Sequence, residues 1–273
     1  MTGSGYLNVS ASEKINLFAR FDFVQALWEG YGVAKILPNE SYLKIGTFVP
    51  NFGIHLDDHT AYTRGGDYGL LFSKGAIQGL IYNPLYTETG IELGANLAEK
   101  ILLTASVGRS RSNATFSSDP TWTVRLELTP SIEKLNFIFG GSYAAKKTKI
   151  IDLNTGNADQ LPSQLYGGFA GFGYKGFTLM GEYDMAADYV KSGLKSDAFM
   201  LEGSYQLLVG LEAVIRYDRF NTNIDIKNDS YSHLIFGFEF FPYSFVELRP
   251  QFRINMHGSD QSNSFLLQFH FWY

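Results

Sequence analysis

Phe245–His257 reads FVELRPQFRINMH, and its alternation decides the fold. Val246, Leu248, Pro250, Phe252, Ile254 and Met256 take every second place, with Glu247, Arg249, Gln251, Arg253, Asn255 and His257 between them. Successive side chains of a strand point to opposite faces, so a period of two describes a β-strand with one apolar and one polar face. The run exceeds the ~5–6 residues of an ordinary strand. It matches the ~9–11 residues that a tilted strand needs to cross a bilayer.

The flanking segments repeat the pattern. In HLIFGFEFF, residues 233–241, the apolar face is Leu234, Phe236, Phe238 and Phe240. In FLLQFHFWY, residues 265–273, it is Phe265, Leu267, Phe269, Phe271 and Tyr273, which leaves Gln268, His270 and Trp272 on the other face. A tight turn around Pro242–Ser244 joins the first pair, and the polar segment Gly258–Asn263 joins the second.

Composition agrees with this reading. The chain is 45% apolar and 18% charged, with 17 Tyr and 23 Phe, yet no apolar run reaches the length of a membrane helix. Such a helix needs about 20 consecutive apolar residues. A membrane β-barrel reconciles the two facts, because every second side chain faces the lumen and is free to be polar. With 0 Cys, disulfides, thiolate metal sites and catalytic thiols are excluded. The net charge of −5 argues against a nucleic-acid partner. Residues 1–5, MTGSG, lack the features of a secretory signal.

Extending the alternation backwards predicts strands near 210–221, 196–208, 176–185, 164–174, 135–147, 121–130, 100–110, 90–98, 76–83, 66–73, 41–51, 29–37 and 15–25. With the three above, the chain reads as one domain, 1–273, forming a closed antiparallel transmembrane β-barrel of about sixteen strands, fourteen or eighteen being the neighbouring even counts. Short connections (Pro38–Glu40, Lys74–Gly75, Glu99, Ser131–Lys134, Lys175, Val209, Pro242–Ser244) alternate with longer polar ones (Ile54–Gly65, Arg111–Pro120, Thr148–Ser163, Met185–Lys195, Thr222–Ser230). That is the outer-membrane arrangement, with the long loops extracellular and the C-terminus periplasmic. Trp28, Tyr31, Trp122, Tyr174, Tyr205, Tyr243, Trp272 and Tyr273 fall near strand ends, as girdle residues would.

The phase of the alternation turns one charged set inward: Arg20, Asp22, Lys44, Glu92, Arg125, Glu127, Glu182, Asp184, Glu202, Glu212, Arg216, Asp218, Glu239, Glu247, Arg249 and Arg253. Such charges either pair across strands and keep the interior wet, or line a pore with a weak cation bias from its acidic excess. His55, Asp57, Asp58, His59 and Arg64 crowd the loop Ile54–Gly65. They fit a solvated or folded-in loop, a metal or acid–base site, or a pore constriction; constriction is the sharpest of these expectations. His257-Gly258-Ser259 pairs a base with a hydroxyl in a plausible tight turn, and catalysis is not expected from it. The run Tyr166–Tyr174, YGGFAGFGY, reads as rings covering bare backbone in a curved wall rather than as a phosphate loop.

The segment Trp28–Gly53, WEGYGVAKILPNESYLKIGTFVPNFG, resembles a stretch of outer-membrane porins of the phosphate-selective O and P type. Glu29-Gly30-Tyr31 stands for the acidic–aromatic piece of that family, and LKIGTFVPNFG for its glycine-containing strand. The closing Phe271-Trp272-Tyr273 resembles the aromatic signal read by the barrel-assembly machinery. No basic phosphate ladder accompanies the match, so phosphate selectivity is not implied.

These readings lead to one expected function: an integral protein of a bacterial outer membrane that passes ions and small hydrophilic solutes by passive diffusion, with no catalytic residue, cofactor or metal. The alternative is a structural barrel whose lumen or rim holds a partner such as a lipoprotein, periplasmic domain or electron carrier. Expected partners are outer-membrane lipid and lipopolysaccharide, and either further copies of the chain or such a protein.

Overall fold

The computed structural model describes residues 4–22, 27–54, 61–63, 87–110, 120–151, 158–188 and 192–271. These form sixteen strands in one antiparallel sheet and no helix. In chain order they are β1 (Ser4–Ser12), β2 (Ile15–Asp22), β3 (Leu27–Ala34), β4 (Tyr42–Phe48), β5 (Glu88–Ala98), β6 (Ile101–Ser110), β7 (Thr121–Leu128), β8 (Ser131–Ile132), β9 (Leu135–Ile151), β10 (Ala158–Tyr174), β11 (Phe177–Ala187), β12 (Lys195–Leu208), β13 (Leu211–Asn221), β14 (Ser230–Tyr243), β15 (Val246–His257) and β16 (Asp260–Phe271). Each strand pairs with its neighbour in sequence, except that β7 passes directly to β9 and the short β8 pairs on β9 alone.

The number sixteen matches the expectation, but the set of strands differs. β1 was not foreseen, because its apolar stripe is only Leu7 and Val9 among Asn and Ser. The strands expected over 66–73 and 76–83, with the turn Lys74–Gly75, lie outside the described residues. β4 pairs directly with β5, from Tyr42 opposite Gly94 to Phe48 opposite Glu88, so the wall is continuous without them. Trp28, just before the strand expected over 29–37, lies in β3 opposite Phe21. β9 and β10 each run 17 residues, so the loop expected over Thr148–Ser163 is mostly paired strand projecting beyond β7. The segment expected to link β15 and β16 shortens to Gly258–Ser259, since Asp260 already pairs with His257. Fifteen strands form the unbroken path, so β1 and β16 run in the same direction. Ser4 and Phe271 therefore lie at opposite rims, not on one side as an even path would require.

Connections sort by rim. Lys175–Gly176 turns the chain from β10 to β11 in two residues, both with positive φ (47° and 81°), the two-residue hairpin whose twist matches its strands. On the same rim lie the turns at 13–14, 35–41, 99–100, 209–210 and 244–245; on the other rim β4 and β11 end, β5 and β12 begin, and the connection at 222–229 lies.

The two faces of the sheet are inverted relative to a soluble protein. Across β13 to β16 the registers align Ile215, Phe236, Phe252 and Phe265 in one row, exposed by 54, 42, 43 and 70%. On the opposite face a row runs Met200, Asp218, His233, Asn255 and Ser262, in which Asp218 and His233 are buried. Burying charge is tolerable where partners or water satisfy it. An exposed aromatic belt is tolerable where the surroundings are themselves apolar.

Exposed rings mark both rims: Trp28 and Trp122 on one, Tyr174, Tyr205 and Tyr243 on the other. Tyr31, expected among them, is on the inner face. It stacks on Phe18 with ring centroids 4.9 Å apart, and Lys44 Nζ lies 5.3 Å from its centroid. Strand phase explains this: Trp28 and Tyr31 are three residues apart and so point to opposite faces. Trp272 and Tyr273 lie outside the described residues.

Candidate functional site

Ion pairs cover the inner face. Arg20 pairs with Glu29 at 3.1 Å, and Lys44 with Glu92 at 2.6 Å. Arg125 meets Glu127, the next inward residue of its own strand. Arg216 lies 3.0 Å from Asp218 and 3.6 Å from Glu202, across the pairing of β13 with β12. Arg249 lies 3.3 Å from Glu239 and also contacts Glu247, which His270 Nδ1 approaches at 2.7 Å. Arg253 donates from Nε to Gln251 Oε1 at 3.1 Å. All follow from the period of two, since residues i and i+2 share a face and cross-strand partners lie opposite.

The chain leaving β4 does not stay at the rim. Residues 49–54 and 61–63 fold onto the inner face and touch successive strands around it. Asn51 Nδ2 donates to Glu92 Oε1 of β5 at 3.1 Å. Arg125 Nε of β7 donates to the Gly53 carbonyl at 2.8 Å. The Gly53 amide donates to Ser142 Oγ of β9 at 2.9 Å, and the Ile54 amide to Glu182 Oε2 of β11 at 3.0 Å. Tyr62 Oη lies 3.0 Å from His233 Nε2 of β14, whose Nδ1 is 3.3 Å from Asp218 Oδ1. Irregular backbone carries unpaired amides and carbonyls, and here polar wall side chains supply the partners.

Apolar contacts hold the same segment. Phe52 and Tyr62, 3% and 1% exposed, cluster with Ala144, Leu165, Ala186, Ala198 and Phe220. Ile54 and Ala61 pack on Phe169 and Met200. Glycines in the wall make room. A Cβ on Gly167 would lie 2.8 Å from Phe52 Cε1 and 2.5 Å from Asp184 Oδ1, and one on Gly140 would lie 2.6 Å from Phe169 Cζ. The Arg125 guanidinium lies over the Phe169 ring, 4.8 Å from its centroid. Replacing Arg125 by Met removes the charge beside Glu127 and the donor to Gly53. Breaking a buried pair from one side costs about 3–5 kcal/mol, so the urea midpoint of the refolded protein should fall markedly; an unchanged midpoint would show the pair to be dispensable.

Arg20, Lys44, Arg125, Glu127, Glu202, Arg216, Asp218, Glu239, Glu247, Arg249 and Arg253 are thus brought to one face. His55, Asp57, Asp58, His59 and Arg64 lie outside the described residues, between and beyond the two inward pieces. Sequence reasoning missed Asn51, Phe52, Tyr62, Ser142 and His233, whose roles arise from contacts up to 171 residues apart in the chain. It also missed the buried Glu88 and Lys146; each continues the phase of its own strand, from Glu92 and from Ser142, and was legible that way. His257 stacks on Tyr231 with centroids 4.0 Å apart and planes within 2°, and its Nε2 is 3.7 Å from Asp229 Oδ1.

A single meandering antiparallel sheet, apolar outside and charged inside with a segment folded onto the inner face, is the fold of bacterial outer-membrane β-barrels. Among solved structures the chain is similar to the outer membrane protein OmpT of Vibrio cholerae, at 12% identity and TM-score 0.63 over 100% of this chain and 89% of that one. It is similar also to OprB of Pseudomonas putida, at 9% identity and TM-score 0.66 over 93% and 81% of the two chains. The outer membrane channel DcaP of Acinetobacter baumannii aligns at 11% identity and TM-score 0.61 over 98% and 83%. At these identities the likeness is one of fold. No protein-family model matches the chain, and neither does any curated protein sequence.

Proposed function

We propose that the protein is an outer-membrane channel for passive diffusion of ions and small hydrophilic solutes, narrowed by the segment folded in after β4. The observation that carries this is the burial of a charged, paired inner face inside an exposed apolar belt. A face built of paired charges suits a polar lumen, whereas a barrel filled as a dry core would be lined by apolar side chains. The residues from Arg20 to Arg253 named above line the passage in this reading. Residues 49–63, with His55, Asp57, Asp58, His59 and Arg64 among and after them, form the constriction. The turns at 13–14, 175–176 and 209–210 face the periplasm with the C-terminus, and the opposite rim faces outward. The resemblance to phosphate-selective porins extends the reading only to general architecture, because Arg20, Arg125, Arg216 and Arg249 stand against carboxylates rather than free for an anion. A non-catalytic role fits the use of the His257 ring for stacking.

Reconstitution of the refolded protein into planar bilayers tests the proposal. Stepwise ohmic currents are expected, with a reversal potential in a KCl gradient that favours cations weakly. A folded protein that inserts and carries no current would refute it.

A further inference from the structure

One part of the inner face is unlike the rest. Beside Tyr62, at the rim opposite the short turns, a cavity of about 400 Å³ opens between the inward segment and β14 to β16. Tyr62, Tyr231, His233, Asn255, His257 and Ser262 line it. Most Arg and Lys side chains named above meet carboxylates; here, among the described residues, no Arg or Lys contributes, and Asp260 is the one carboxylate in the lining. Two aromatic platforms are already formed: Tyr231 on His257, and Tyr62 on His233 with centroids 4.5 Å apart. Asn255 Nδ2 reaches Ser262 and Ser264 Oγ at 3.4 and 3.2 Å, a neutral amide and hydroxyls in one patch. The volume lies in the ~300–1,000 Å³ range of small-molecule sites.

We propose that this cavity binds an uncharged polyhydroxylated solute, a sugar or polyol, at the mouth of the passage. Ring faces accept the apolar C–H face of such a molecule, and neutral amides and hydroxyls exchange hydrogen bonds with its hydroxyl groups. A charged solute would meet no Arg or Lys in the lining and only Asp260 among its carboxylates, since the nearby Asp218 and Asp229 stand against His233 and His257. Position adds to the argument. The cavity lies at the β14–β16 end of the row Asp218, His233, Asn255 and Ser262, and Tyr62 on His233 forms its wall toward the inward segment. The inference rests on the channel reading for its aqueous access.

Calorimetric titration of the detergent-folded protein with glucose and sucrose tests it without requiring conduction, with gluconate and glucosamine as charged counterparts. Saturable, millimolar binding of the neutral sugars is expected, with both charged analogues weaker by about tenfold. Tyr231→Ala should weaken glucose by about tenfold, and Asn255→Asp should turn the preference toward glucosamine while keeping the side-chain shape. In bilayers that conduct, sucrose should reduce the current saturably, whereas polyethylene glycol of similar size should not. Absence of saturable heat, equal binding of all four solutes, or indifference to both substitutions would overturn the proposal. A protein that binds sugar but carries no current would leave this site standing and remove the channel reading.

Discussion

The double substitution Phe52→Ala, Tyr62→Ala should convert the channel from one conductance level to two, the upper about twice the lower. Both rings are anchors of the inward segment, sharing one cluster with Ala144, Leu165, Ala186, Ala198 and Phe220. Truncating a buried aromatic costs about 3–5 kcal/mol. Two such losses are comparable with what the remaining hydrogen bonds to Glu92, Arg125, Ser142 and Glu182 supply together, at about 0.5–1.5 kcal/mol for the neutral one and about 1.5–3 kcal/mol for each with a charged partner. The segment should then leave the wall part of the time. The barrel itself should survive, because no wall pairing involves either residue, and the difference in electrophoretic mobility between heated and unheated samples reports that. Gly167→Val approaches the same result from the wall side, by placing carbon where Phe52 Cε1 sits. A single unchanged level in both variants would show that the segment does not set the conductance.

Phe236→Arg should sharply lower the yield of folded protein. Phe236 stands in the middle of β14, in the outward row between Ile215 and Phe252. An arginine on the lipid face near the midplane costs about 2–4 kcal/mol, against a total stability of roughly 5–15 kcal/mol for a folded domain. The neighbouring inner-face change Gln251→Glu, one strand away beside Arg253, should by contrast fold normally, since Arg253 already donates to that side chain. Refolding yield into lipid vesicles compares the two. Equal yields would mean that the belt is not in contact with lipid.

Much of the wall was legible because alternation is a local property. Phe245–His257 shows its two faces without reference to any other segment, and β13, β14 and β16 follow where the expected stretches were placed. Legibility failed where local pattern is thin or shared. β1 has two apolar residues on its outward face, too few to announce a strand. Strand ends were misjudged in the β9–β10 hairpin, because polar residues such as Thr148 and Lys149 read as loop although the backbone stays paired to Ile151.

The candidate site divides in the same way. Charges that face each other by phase, Arg216 with Asp218 and Glu247 with Arg249, are consequences of i and i+2 lying on one side of a strand, and the chain announces them before folding. The crowding of His and Asp after Ile54 likewise pointed to the connection between β4 and β5 as the one of interest. That this connection turns inward, and that Gly53, Ile54 and Tyr62 reach Ser142, Glu182 and His233, depends on contacts 89, 128 and 171 residues apart. Curvature of the sheet brings those strands around a common interior, and curvature is a property of the whole wall. A two-residue period specifies which way a side chain points; what it meets there is specified by the far side of the barrel.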